Sequence, residues 1–150
     1  MKSNIDGARS TANENKLVER KIYGESNICA IIVTFNIGKG LFKCFESIKH
    51  QVDEVVIVDN NSNAETIQVL NEFEKLSDVN IIYNKENRGI AAALNQGVKY
   101  AIENNYDWVI TLDHDSEATE NMIKKMLTIY MRIAINPLFH QGFALSFRHC

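Results

Sequence analysis

Four short, apolar, β-branched runs alternate with segments of helical periodicity, and this alternation constrains the fold more than any other feature. The apolar runs occupy residues 28–34, 54–59, 79–83 and 108–112. The helical segments occupy residues 41–50, 64–76, 89–104 and 117–133. Strands alternating with helices are typical of parallel βαβ units, whose crossovers are right-handed. The sequence therefore predicts an α/β fold with a Rossmann-like, doubly wound and mostly parallel sheet over residues 27–135.

The segments on either side of this domain lack its rhythm. Residues 1–26 are polar and show no sustained apolar period, which predicts a flexible leader. The single proline, Pro137, stops the last helix, and residues 136–150 form an irregular tail. We therefore expect the chain to be truncated at its C-terminus, partway through a larger architecture.

Composition excludes several classes of protein. The net charge of −3 gives no sign of the basic face that nucleic-acid-binding proteins carry. No apolar run is long enough to span a bilayer, so no transmembrane segment is expected. The three cysteines are odd in number and widely spaced, which favours a reducing, cytoplasmic location over a disulfide framework.

Polar clusters follow all four predicted strands. They occupy residues 34–36, 59–62, 84–89 and 113–116. In doubly wound sheets, ligands bind beyond the carboxyl ends of the strands. Four polar clusters at one edge of the sheet therefore predict a binding site there.

The motif Asp113-His114-Asp115 carries the most chemistry. Two carboxylates just past a buried strand suit Mg²⁺ or Mn²⁺, which take carboxylates together with substrate phosphates and waters. The alternative is that an aspartate caps a helix beginning near Glu117. His114 is a less favoured third ligand, since a side chain between two inward carboxylates usually points elsewhere.

Asp59 ends the second strand, where a carboxylate is placed to contact a base or ribose. Alternatively, Asp59 or Ser62 caps the following helix. At the third strand's end, Gly89 permits close backbone approach at a helix N-terminus, and Arg88 is placed to contact phosphate. The alternative there is an ordinary turn with an exposed arginine.

Two further sets of residues remain open to interpretation. Thr34-Phe35-Asn36 offers an aromatic face and polar contacts to a base, unless Phe35 belongs to the core and Asn36 only forms a turn. In the third helical segment, which is rich in alanine, Ile90, Leu94, Val98 and Ile102 lie in register on one face.

Four motifs in register resemble the inverting family 2 glycosyltransferases, which have the GT-A fold. They are IIVTFN, VVIVDNNS, NRGIAAALNQG and ITLDHDS. The resemblance covers roughly residues 28–133. The GIAAALNQG segment followed by LDHDS is most similar to the rhamnosyltransferase branch, which uses dTDP-rhamnose for bacterial surface polysaccharide.

The resemblance implies a role for each matching residue. The base is expected to contact Thr34, Phe35 and Asp59, and the ribose-diphosphate to contact Asn87 and Gly89, with Asn95 supporting the site. Asp113 is expected to contact ribose or metal, and Asp115 to coordinate Mg²⁺ or Mn²⁺. Because the family's general base lies C-terminal to this motif, no catalytic base is assigned within the chain.

The implied function is metal-assisted transfer of a sugar, such as rhamnose, from a dTDP- or UDP-sugar to a saccharide or lipid-linked acceptor, at the inner face of the membrane. The main alternative is an inactive fragment that binds nucleotide but transfers nothing. A receiver-like signalling domain is disfavoured because Asn84, rather than a phosphoacceptor carboxylate, follows the third strand.

Overall fold

Strands and helices alternate through residues 26–135, the part of the chain that the computed structural model describes. The four strands are β1 (Ile28–Thr34), β2 (Glu54–Asp59), β3 (Val79–Tyr83) and β4 (Trp108–Asp113). The four α-helices are α1 (Leu41–Ile48), α2 (Ala64–Phe73), α3 (Ile90–Glu103) and α4 (Met122–Ile135), and a 3-10 turn over Gly38–Gly40 precedes α1. The predicted α/β fold is confirmed. The predicted leader, apart from Ser26, and the predicted tail lie outside the described residues.

The strands form one parallel sheet in the order β3-β2-β1-β4. The chain moves outward from β1 through β2 to β3 and then crosses back to β4 on the other side of β1. The strand order therefore reverses between β1 and β4, which is where doubly wound sheets bind ligands. Register aligns the strand ends at this edge, with Thr34 opposite Asp59 and Val33 opposite Asp113.

Helix α3 packs on one face of the sheet through small side chains. Its buried stripe is Ala93, Gly97 and Ala101, whereas Ile90 and Ile102 are 56% and 69% exposed. Of the four apolar residues in register on this helix, only Leu94 and Val98 pack against the core. The cause is close approach, because a Cβ added to Gly97 would lie 2.5 Å from Cγ2 of Ile31 in the sheet.

Helix α1 connects β1 to β2, and α2 connects β2 to β3, so both crossovers move along the sheet in one direction. Helix α3 connects β3 to β4 and moves in the opposite direction. Right-handed connections therefore place α1 and α2 on the other face of the sheet. Their aromatic rings pack together, with Phe45 stacked on Phe73 at a centroid distance of 4.1 Å and Phe42 edge-on to Phe73 at 5.1 Å. Both faces of β1 and β2 are covered, which explains their near-continuous apolar sequences.

The last helix begins at Met122, five residues later than predicted. The segment before this helix contacts two side chains, one from α1 and one from the loop that follows α1. Ser47 Oγ accepts a hydrogen bond from the Ala118 N–H at 2.9 Å, and Gln51 donates to the Thr119 carbonyl at 3.1 Å. Asn121 then adopts a left-handed conformation with φ 56°, which a continuing helix excludes.

Residues 26–121 form one compact unit, and α4 belongs to a second. Ile123, Leu127 and Met131 lie on the buried side of α4. None of the helices in the described part of the chain has both the length and the apolar character required to cross a membrane.

Candidate functional site

An open cleft of about 430 Å³ lies at the carboxyl edge of the sheet, the edge at which the C-terminal ends of the strands meet. It is centred on the point where the strand order reverses. The lining residues are Val33, Thr34, Phe35, Asn60, Asn87, Gly89, Ile90, Asp113, His114 and Asp115. Six of the sequence-predicted site residues are thus brought together, and Asp59, Arg88 and Asn95 do not line the cleft.

The two carboxylates of the Asp113-His114-Asp115 motif are exposed at the cleft. Neither accepts a hydrogen bond from any residue between 26 and 135. The motif forms a turn in which the Asp113 carbonyl accepts the Ser116 N–H at 2.9 Å. Helix α4 begins seven residues after Asp115, too far for either carboxylate to cap it. The capping alternative for this motif is therefore wrong.

The donor set at this turn suits an oxygen-seeking cation that shares its ligands. Within residues 26–135 there is no cluster of three or more histidine, cysteine or acidic side chains able to hold a metal ion. Two carboxylates at an open cleft leave the remaining positions to substrate oxygens or water, as Mg²⁺ sites commonly do. The residues present therefore fit a cation bound together with a diphosphate.

Cys44 lies behind this turn and is buried. Its Sγ donates to the Asp113 carbonyl at 3.4 Å. Burial, followed by the negative charges of Asp115 and Asp113, raises the pKa of the thiol to about 11. Cys44 therefore packs as a small buried hydrophobe.

His114 points across the cleft to the end of β1. Its Nδ1 accepts a hydrogen bond from the Phe35 N–H at 3.4 Å. This bond connects the end of β4 to the end of β1, the two strands between which the strand order reverses. Phe35 itself is 41% exposed, so the alternative that places it in the core is wrong. Asn36 forms a turn at φ 55°, as its alternative interpretation predicted.

Thr34 and Asp59, paired at the ends of β1 and β2, each bury a polar atom without a partner. Thr34 Oγ1 and Asp59 Oδ1 have no hydrogen-bond partner in the described structure, although both residues are at most 1% exposed. Asp59 Oδ2 accepts the Ser62 N–H at 3.1 Å. Asn63, rather than Asp59 or Ser62, caps α2 by accepting the Thr66 N–H. Asp59 therefore has one carboxylate oxygen that is free to accept a hydrogen bond from a ligand.

The segment 87–89 forms a tight turn before α3. Asn87 Oδ1 accepts the Gly89 N–H at 2.9 Å, and Gly89 adopts φ 80°, a conformation that favours glycine. No side chain caps α3 at Gly89. The Arg88 side chain is exposed and does not line the cleft, although the Arg88 N–H bonds Asn60.

Asn60 is a site residue that sequence analysis did not single out. It is 3% exposed, lines the cleft and bonds both Asn84 and the turn at Gly89. Asn95 is exposed on α3, and its neighbour Gln96 is the amide that bonds Asn84. The sequence offered only one signal for Asn60, its place directly after Asp59 at a strand end.

Comparison with known proteins identifies relatives for most of the described chain. The family model for glycosyl transferase family 2 matches residues 29–133. A dTDP-rhamnosyl transferase, RfbF of Shigella flexneri, is 39% identical over 107 residues, covering 71% of this chain and 35% of that protein. This chain therefore spans about a third of the length of that relative.

Solved structures share the fold. TarS 1-349 of S. aureus in complex with UDP-GlcNAc has a TM-score of 0.61 at 21% identity, covering 72% of this chain and 32% of that one. The mannosyltransferase PcManGT from Pyrobaculum calidifontis, in complex with GDP-Man and Mn²⁺, has a TM-score of 0.58 at 21% identity, covering 74% and 33%. The matched residues, the parallel sheet and the cleft at its carboxyl edge agree: the chain belongs to glycosyltransferase family 2.

Proposed function

We propose that this chain is the donor-binding part of a metal-assisted, inverting glycosyltransferase. The donor is a dTDP- or UDP-sugar, and the identity with a dTDP-rhamnosyl transferase favours dTDP-rhamnose. The acceptor is a saccharide or a lipid-linked saccharide, and the reaction takes place in the cytoplasm at the inner face of the membrane. The observation that carries the proposal is the convergence of Asp113, Asp115, Phe35 and the Gly89 turn on one cleft.

The metal would be held by Asp115 and Asp113. Both are exposed carboxylates at the cleft, and the structure gives neither another partner within residues 26–135. When bound, Mg²⁺ or Mn²⁺ neutralises charge on the departing nucleoside diphosphate. The solved structure of PcManGT contains Mn²⁺ together with GDP-Man, which supports the choice of cation.

The nucleotide base would lie towards the ends of β1 and β2. Phe35 offers an exposed aromatic face, on which a base can stack. Thr34 Oγ1 and Asp59 Oδ1 are buried and unsatisfied; Thr34 lines the cleft, whereas Asp59 would bond polar groups of the base only after its side chain moves towards the cleft. Asn87 and Gly89 line the same cleft as Asp115 and would contact the ribose-diphosphate.

Transfer requires an acceptor hydroxyl to attack the anomeric carbon from the face opposite the leaving diphosphate. A carboxylate acting as general base would remove the hydroxyl proton. None of the described carboxylates is assigned this role. Because the chain spans about a third of its relative, donor binding is the property to measure first.

Isothermal titration of the 150-residue chain with dTDP and with UDP, with and without Mn²⁺, tests the proposal. We expect binding that strengthens when Mn²⁺ is present. Asp115→Ala is expected to abolish the Mn²⁺ effect, a loss of about a hundredfold in affinity, equivalent to about 2.7 kcal/mol.

Asp107→Ala is the matched control. Asp107 precedes β4 at the opposite edge of the sheet, where its Oδ2 accepts the Asn27 N–H at 2.9 Å. This variant is expected to bind nucleotide and Mn²⁺ as the wild type does. A folded wild-type chain that binds neither nucleotide would disprove donor binding, and an unchanged Mn²⁺ effect in Asp115→Ala would disprove the metal assignment.

A further inference from the structure

We propose that Asn60 is a positioning residue that holds the Gly89 turn in the shape required by the donor's diphosphate. The inference rests on the proposed function, because it concerns the same cleft. Three amide side chains, those of Asn60, Asn84 and Gln96, together hold the backbone at Gly89, which lines this cleft.

Asn60 bonds the turn on both of its sides. Its Oδ1 accepts the Arg88 N–H at 3.4 Å, and its Nδ2 donates to the Gly89 carbonyl at 3.3 Å. The same Gly89 carbonyl accepts the Ala93 N–H at 3.2 Å, the first bond of α3. A single side chain therefore connects the end of β2 to the start of α3.

The position of Asn60 is itself fixed. Its backbone N–H donates to the Thr34 carbonyl at 3.0 Å, and its side chain is buried. Its Oδ1 also accepts the Asn84 Nδ2 at 2.9 Å. Asn84 and Gln96 form a reciprocal amide pair, with N–O distances of 2.8 and 2.9 Å. Helix α3, the end of β3 and the end of β2 are thus tied together by amides behind the turn.

This arrangement places strong geometric demands on residue 60. The asparagine amide offers an acceptor for the Arg88 N–H and, on a separate atom, a donor for the Gly89 carbonyl. The Gly89 φ of 80° and the Asn87 bond to the Gly89 N–H shape the turn locally. Asn60 anchors the turn to the end of β2.

Asn60→Asp keeps the acceptor, removes the donor and adds a negative charge, whereas Asn84→Ala weakens the same network without adding charge, so the two variants are measured together. The aspartate oxygen then faces the Gly89 carbonyl, and the turn is expected to move away. The measurement is the ratio of two dissociation constants, that of the nucleoside monophosphate to that of the diphosphate. It uses dTMP with dTDP, or UMP with UDP, whichever pair binds the wild-type chain more tightly.

We expect this ratio to fall about five- to tenfold in Asn60→Asp, since one hydrogen bond at the diphosphate side is lost. A variant that merely unfolds part of the population weakens both nucleotides equally and leaves the ratio unchanged. Asn84→Ala, which removes the support behind Asn60, is expected to lower the ratio in the same direction and provides the measurement if Asn60→Asp does not fold.

Asn80→Ala is the matched control, because Asn80 lies on β3 but donates to the Tyr100 hydroxyl instead. Its ratio is expected to equal that of the wild type. Wild-type binding with an unchanged ratio in both Asn60→Asp and Asn84→Ala would overturn this inference alone. Absence of wild-type binding to either nucleotide would overturn the proposed function and this inference with it.

Discussion

Carboxylates stand at both ends of the parallel strands, and the hydrogen bonds they accept differ between the two ends. At the amino edge, where the strands begin, Asp53 accepts the Ile28 N–H at 2.7 Å and Asp107 accepts the Asn27 N–H at 2.9 Å. At the carboxyl edge, Asp113 and Asp115 accept none from the described residues. Asp59 there leaves one buried oxygen unpartnered.

Glu54 shows most clearly how the amino edge is built. Its two oxygens accept the hydroxyls of Tyr100 and Tyr106, and Tyr100 also accepts a bond from Asn80. These residues come from β2, α3, the connection to β4, and β3. The amino edge thus joins four parts of the fold through satisfied polar contacts.

The carboxylates at the two edges of the sheet therefore have different roles, one in fold stability and the other in the proposed ligand binding. Satisfied carboxylates at the amino edge stabilise the fold, whereas unsatisfied ones at the carboxyl edge leave bonding capacity for a ligand. Buried polar groups without partners cost free energy, and such costs persist at sites where binding requires them. Substitutions at the two edges should therefore affect different measurements.

The largest effect on stability is expected for Glu54→Gln. The amide lacks the charge and the second strong acceptor that Tyr100 and Tyr106 use, so the free energy of unfolding should fall by about 2–3 kcal/mol. Urea unfolding measures this change. Nucleotide affinity of the folded chain should remain that of the wild type, and a loss of affinity would contradict the separation of the two edges.

Glu46→Gln provides the control for Glu54→Gln. Glu46 pairs with Lys49 on the surface of α1 at 2.7 Å, with half of its side chain exposed. An exposed pair of this kind contributes less than about 1 kcal/mol, so this variant should unfold close to the wild-type midpoint.

A pair of identical changes sharpens the comparison at smaller magnitude. Asp59→Asn removes a buried charge with an unpartnered oxygen and keeps an acceptor for the Ser62 N–H, so stability should rise by about 1 kcal/mol. Nucleotide affinity should fall about tenfold, since the acceptor proposed for the base is lost.

Asp53→Asn is the counterpart at the amino edge. It weakens a charge-assisted bond to the Ile28 N–H, so stability should fall by about 0.5–1 kcal/mol with affinity unchanged. Thermal unfolding and titration of both variants provide the comparison. If both variants gained stability, or both lost it, the carboxylates at the two edges would not differ in their contribution to the free energy of unfolding.

Much of this fold could be predicted from the sequence because its strands are buried on both faces. Strands β1 and β2 occupy their predicted residues because continuous apolar, β-branched runs have few alternatives. The edge on which the site lies followed from the polar residues after each strand. Parallel pairing alone brings those residues to the same edge.

Tertiary packing decided the features that the sequence left open. Helix α3 turns its small residues, rather than Ile90 and Ile102, to the sheet because β1 leaves no room for larger ones. The start of α4 depends on contacts from Ser47 and Gln51, which lie some 70 residues earlier in the chain. The partners of Asn60 are likewise distant in sequence, so no local pattern indicates its role.

Alkaline pH should also weaken the amino edge. Burial, and then the bond to Glu54, raises the pKa of Tyr106, and the same causes raise that of Tyr100. Because the folded state favours the protonated hydroxyls, their contribution is complete below the unfolded-state pKa of about 10 and is lost as pH rises through the folded-state value. At pH 10.5 the loss due to Tyr106 should be about 1 kcal/mol. Urea unfolding at pH 8 and pH 10.5 measures this loss of stability, with Tyr106→Phe as the comparison.

The Tyr106→Phe variant should lose less stability between the two pH values than the wild type, and equal losses would show that Tyr106 contributes nothing to the pH dependence.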